Sequence, residues 1–108
     1  MPRQRICFLT AEISPFAKTG GLGDVASALS RHLLLRGHDA RVFVPLHALS
    51  DLQGCEQRPV AALQGLSVRV GTNEYRYDVL EARLPGSDLW VQLVDGPAVF
   101  DRPFIYSD

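Results

Sequence analysis

The chain has 108 residues, 46% of them apolar and 21% charged, with a formal net charge of −1. That length bounds it to one domain with a single modest core, and the balanced charge, without a basic cluster, excludes nucleic acid as the main partner. Two cysteines, Cys7 and Cys55, are too few for a disulfide framework.

The apolar run that follows Arg3 and Arg5 is too short for a secretory signal core or a membrane span, so the expected address is the cytoplasm. Arg5-Ile6-Cys7-Phe8-Leu9-Thr10 reads as a short buried strand, with Cys7 as a reduced core residue. Ala11 to Gly21 has no period and holds Pro15 and two glycines, so it reads as a loop. From Leu22 the pattern turns helical. Leu22, Val25, Ala26, Leu29 and Leu33 share one helix face, and Arg36 followed by Gly37 supplies a C-terminal stop. Ala40 to Val44 is a second strand, ended by Pro45. Strand, loop, helix and strand make a βαβ unit with parallel strands.

Leu46 to Pro59 carries no strong signal. Beyond it the period becomes two. Leu66 to Val70 alternates, Gly71-Thr72-Asn73 is a turn, and Tyr75 to Leu84 alternates again. Pro85 to Asp88 is a second turn, and Leu89 to Val94 a further strand. Together they read as an antiparallel excursion that returns to the sheet. Pro97 to Phe100 is one helical turn. No repeat, linker or low-complexity tract occurs.

The chemistry concentrates in Phe16-Ala17-Lys18-Thr19-Gly20-Gly21-Leu22-Gly23-Asp24-Val25. A loop leaving a strand's carboxyl end and feeding a helix is where open α/β sheets place ligands. The first N–H groups of the helix lack intrahelical partners, and the dipole favours an anion there. Glycines let a bulky group approach the backbone, and Lys18 adds a point charge. The combination suits a phosphate. The bland alternative is a tight turn that caps the helix, with Lys18 solvated. A P-loop is disfavoured, because its lysine follows the glycines. Gly21-Leu22-Gly23-Asp24-Val25-Ala26 matches G-x-G-x-x-G/A, but no carboxylate closes the second strand to hold a ribose, which makes NAD(P) binding a weak runner-up. Asp24 also reads as a first-turn carboxylate that favours the helix dipole. His32, His38 and His47 show no metal spacing. Trp90, Tyr75 and Tyr77 read first as sheet packing, with stacking of Tyr75 or Tyr77 on a glucan as the minor reading.

Ser14 to Val25 resembles the N-terminal signature of bacterial glycogen synthases and plant starch synthases. In that family a strand and a glutamate, here Phe8 to Ala11 and Glu12, precede a K-T/V-G-G-L-G/A-D-V segment. Arg36 to Val42 resembles the family's G-H-x-V-x-V segment. Val94-Asp95 with Phe100-Asp101-Arg102-Pro103 resembles its D-x-P-x-x-F-D-R segment. Two departures stand out. Ser30 replaces a customary proline, and Pro103-Phe104-Ile105-Tyr106 replaces a glycine-containing stretch.

The resemblance implies a retaining glucosyltransferase that moves glucose from ADP-glucose to an α-1,4-glucan, without a cofactor or metal. It implies the GT-B arrangement of two facing Rossmann-like domains. Residues 1–108 would be the incomplete N-terminal part of the first domain, a partial Rossmann-like α/β fold. Lys18 would contact the sugar nucleotide near its phosphates. Gly20, Gly21 and Leu22 would offer backbone N–H groups, and Asp24 would lie close to the donor. The family's catalytic residues fall outside this stretch, so the chain alone is expected to be inactive. The alternative is a standalone module of the same fold that binds a sugar phosphate, a glucan or a protein. With one convincing helix, at least one sheet face is expected to lie bare, and the isolated chain to self-associate or borrow cover.

Overall fold

The computed structural model describes residues 2–18, 20–47, 50–52 and 54–100. In chain order they form strand β1 (Arg5–Leu9), helix α1 (Gly21–Leu35), strands β2 (Asp39–Pro45), β3 (Gln57–Pro59), β4 (Leu66–Val70), β5 (Asn73–Arg83) and β6 (Trp90–Asp95), and the single turn α2 (Pro97–Phe100). The sheet order is β1-β2-β6-β5-β3, with β4 paired to the first half of β5. β1, β2 and β6 are mutually parallel, and β5 runs against β6. The βαβ unit and the antiparallel excursion both stand as the sequence pattern implies. No helix among the described residues is long and apolar enough to cross a membrane.

α1 ends as its sequence dictates. The N–H of His38 donates to the Leu33 carbonyl at 3.1 Å, and that of Gly37 to the Leu34 carbonyl at 3.0 Å. This paired closure needs a left-handed residue at Gly37, where φ is +86°. β4 and β5 turn at Gly71 (φ +65°) in register, with Val70 opposite Asn73.

One sheet face carries Val42, Val44, Val91, Leu93 and Ala82. It packs with Ile13, Phe16, Ala26, Leu84 and Leu89 into the core. Burying Phe16 and Ile13, both at 1% exposure or less, contributes about 2–3 kcal/mol each. That burial pins the loop between β1 and α1 to the sheet.

Four sequence expectations fail here. Cys7 is exposed rather than in the core. β1 is an edge strand whose residues alternate between exposed and half-buried. Cys7 shares its face with its neighbour Arg41 and, among the described residues, has no helix over it. Leu9, on that face, is 75% exposed. The same bare face forms an open hollow of about 660 Å³ lined by Arg3, Arg5, Cys7, Asp39, Arg41 and Phe43.

The second failure is the face of α1. Leu22, Val25 and Leu29 are exposed, and Gly23, Ala26, Ser27 and Ser30 are buried. Small side chains let the helix backbone come close to the sheet, so contact follows size as well as hydropathy. Third, β3 arises in the stretch read as signal-free, because a three-residue exposed strand carries no hydrophobic alternation. Fourth, the first N–H groups of α1 are not all open to a ligand, for reasons given next. The Asp101-Arg102 match lies outside the described residues, as does Thr19.

Candidate functional site

The site is built where β1 hands over to α1. Just past the strand, Thr10 Oγ1 donates to the Glu12 carbonyl at 2.8 Å and accepts from the Glu12 N–H at 3.4 Å. Ile13 and Ala17 exchange backbone bonds at 2.9 and 3.0 Å, closing a small loop in which Ile13, Phe16 and Ala17 are buried. The N–H of Ser14 donates to the Gly23 carbonyl at 3.0 Å. His47, itself buried, holds the loop from the other side. Its Nε2 lies 3.0 Å from the Ala11 carbonyl, and its N–H donates to Ser50 Oγ at 3.0 Å.

Glu12 is the residue that sequence reading passed over except as part of a resemblance. It is 1% exposed. Its Oε1 accepts the N–H of Gly23 at 2.9 Å and that of Gly20 at 3.3 Å. A carboxylate at a helix N-terminus satisfies orphan donors and complements the dipole. The helix start is therefore capped from behind by a residue eleven positions upstream.

The three glycines of the motif divide on geometry. A Cβ on Gly23 would meet Glu12 Oε1 at 3.2 Å and Lys18 Cγ at 3.3 Å. A side chain there would press on the buried carboxylate and on the Lys18 stem, each of which would have to give by a few tenths of an ångström. A Cβ on Gly20 or Gly21 would meet nothing within 4 Å, and neither has a positive φ. Gly20 is extended, at φ −166°. Nothing in the packing asks for glycine at these two positions, and glycine costs helix stability relative to alanine. Their missing side chains leave free space over the backbone.

Of the first N–H groups, Gly20 and Gly23 face Glu12. Those of Gly21 and Leu22 have no acceptor among the described residues. Lys18 arches over this turn. Its stem packs on Gly23, and its Nζ lies 2.9 Å from Asp24 Oδ2. The two side chains are 45% and 56% exposed, so the pair holds the lysine only loosely, and an incoming anion can take it over. The structure thus brings Lys18, Gly20, Gly21, Leu22 and Asp24 into one turn. It corrects the donor set, since the Gly20 N–H is turned inward. Beside Glu12, the parallel strands end in an apolar crevice of about 400 Å³ lined by Leu9, Thr10, Ala11, Phe43, Pro45 and Val94. That is the carboxyl edge where open α/β sheets bind ligands.

The aromatic residues behave as packing groups. Trp90 is half-buried under the Arg58 guanidinium, 4.1 Å from ring centroid to Cζ. Tyr75 and Tyr77 are half-buried on β5.

The model of the starch synthase catalytic domain matches residues 5–108. Among curated proteins, glycogen synthase of Treponema denticola is 36% identical over 102 residues, covering 94% of this chain and 20% of that protein. Glycogen synthase 1 of Geobacter metallireducens is 37% identical over 108 residues (98% and 21%). Glycogen synthase of Halorhodospira halophila is 40% identical over 100 residues (91% and 19%). The chain therefore spans about a fifth of the length of these relatives. Among solved structures, the catalytic domain of starch synthase IV from Arabidopsis thaliana, bound to ADP and acarbose, superposes with a TM-score of 0.84. It is 22% identical and covers 99% of this chain and 22% of its own.

Proposed function

The chain belongs to the starch synthase catalytic domain family, and from that premise we propose that its glycine turn is the donor-phosphate cradle of a retaining glucosyltransferase. The donor is ADP-glucose and the acceptor an α-1,4-glucan, in the cytoplasm. Residues 1–108 are the incomplete N-terminal part of the first GT-B domain, and the catalytic residues lie outside this stretch. The observation that carries the reading is the open space over Gly20 and Gly21, beside the amine of Lys18 and the N–H groups of Gly21 and Leu22, which have no acceptor among the described residues.

The chemistry follows from charge. As the glycosidic bond to the diphosphate stretches, negative charge grows on the leaving oxygens. Preorganised N–H dipoles and an ammonium lower the energy of that charge where it develops. Lys18 leaves Asp24 for the diphosphate, and Asp24 remains at the cradle's edge to steady the amine. Most of the donor's contacts fall outside this stretch, so the chain by itself binds the donor weakly. Its bare β1–β2 face favours self-association when the chain is alone.

The test is Lys18→Gln in the enzyme that carries this chain. Removing one such group costs on the order of 10²–10³ in rate. Donor kcat/KM is expected to fall by that order, while the KM for glucan stays within about twofold of wild type. Unchanged donor kinetics would remove Lys18 from the site.

A further inference from the structure

We propose that Glu12 is a positioning residue that selects which backbone amides the donor's phosphates can reach. The inference rests on the donor-cradle reading above.

Four N–H groups open the helix, those of Gly20, Gly21, Leu22 and Gly23. An unaided helix start would present several of them to one anion. Here the inner pair is already taken, because Glu12 Oε1 accepts from Gly23 at 2.9 Å and from Gly20 at 3.3 Å. The carboxylate reaches them from the core side, at 1% exposure. Its own backbone is fixed by Thr10, which donates to its carbonyl and accepts from its N–H. The turn it binds is tied back by the Ser14 N–H on the Gly23 carbonyl. Gly23 is thus gripped at both its N–H and its C=O, and a Cβ there would crowd the carboxylate at 3.2 Å.

Two consequences follow for an anion. First, it cannot reach the inner amides, because an oxygen of Glu12 already occupies them. It is confined to the outer amides, Gly21 and Leu22, in the space the two open glycines leave. Second, those amides are held still before the anion arrives. A donor preorganised in this way costs no reorganisation when charge develops. Glu12 touches neither donor nor acceptor in this scheme. It acts through the backbone.

The experiment uses the ¹⁵N-labelled enzyme that carries this chain, inorganic pyrophosphate as probe, and constant ionic strength. In wild type, amide shifts are expected at Gly21 and Leu22 and not at Gly20 or Gly23. In Glu12→Ala the response is expected to spread to Gly20 and Gly23, since the inner amides are released. In Glu12→Gln, which keeps an acceptor in the same place, the wild-type pattern is expected to return. Hydrogen-exchange protection of Gly23 then falls about fivefold, as a charged acceptor becomes a neutral one. Glu12→Ala is read only where the β5 and β6 amides keep their wild-type shifts. Where they do not, the Gly23 protection in Glu12→Gln decides, and an unchanged value overturns the proposal. Pyrophosphate shifting Gly20 and Gly23 in wild type overturns it too, as does a wild-type pattern in a folded Glu12→Ala. Failure of the underlying reading looks different: no amide of the turn moves in wild type, while Gly23 protection still depends on Glu12.

Discussion

Gly21→Ala separates the demands of folding from those of binding. Gly21 is the first residue of α1, and its ideal Cβ meets nothing within 4 Å. Its φ is not positive. Alanine is favoured over glycine by up to about 1 kcal/mol in a helix interior. At the first helical position, where the residue is held by fewer helix bonds, about half of that is expected to survive. For a chain of this length the gain raises Tm by about 2–4 °C, read by thermal melting followed at a helical circular-dichroism band. The same methyl group would fill part of the open space beside the turn. In the enzyme carrying the change, a phosphate pushed off one amide loses roughly the contribution of one preorganised donor, on the order of 10² in donor kcat/KM. A more stable and less active enzyme is the expected pair of outcomes. A lowered Tm would mean that the fold itself needs the glycine. A raised Tm with unchanged donor kinetics would mean that the space over the turn is not used by the donor.

Two further outcomes concern stability alone. Ser30 is fully buried, and its hydroxyl has no partner among the described residues. Ser30→Ala is expected to stabilise the chain by about 1 kcal/mol in urea unfolding, by removing an unsatisfied polar group. A loss of stability would reveal a bond to that hydroxyl. The Glu81 carboxyl is held below its ordinary value by the hydrogen bond from Gln92, then by the bond and charge of Arg58, with burial opposing. A folded-state pKa below the unfolded one contributes stability that is present above about pH 4.5 and lost as pH falls through the folded value. Glu81→Gln is expected to remove up to about 1 kcal/mol at pH 7 and to flatten the acid limb of the stability–pH curve. An unchanged acid limb would show that the pairing contributes nothing.

The βαβ unit was legible because its signals are local. A 3.6-residue period, a terminal glycine at Gly37 and a proline-stopped strand each act within a few residues. The hairpin of β4 and β5 declared itself by alternation around Gly71. β3 did not, because its three residues are all exposed and carry no apolar alternation; its pairing with β5 rests on the backbone ladder and the Arg58–Glu81 ion pair. The candidate site was half legible. Lys18 and the glycines announce themselves as a cluster, whereas Glu12 matters through contacts eight and eleven residues away. No periodicity encodes such a contact. The sequence also cannot say which of three adjacent glycines is needed by the fold and which leaves room for something else. Only the position of Glu12 behind Gly23 separates them.

The misread burials have a common cause. Cys7, Leu22, Val25 and Leu29 were assigned to the interior by pattern, and all four are exposed. They occupy two surfaces, the outer stripe of α1 and the β1–β2 face away from the core. A parallel sheet is normally covered on both faces, and an apolar stripe at helical spacing is normally packed. Hydropathy pattern reports burial in the whole folded protein, without saying against what. A chain that spans about a fifth of its relatives' length can carry that pattern and lack the contacts that satisfy it. The stripe of α1 starts at Leu22, whose N–H has no acceptor among the described residues. A surface that covered Val25 and Leu29 would also approach the glycine turn, and shielding that turn from water would strengthen every charge interaction made there.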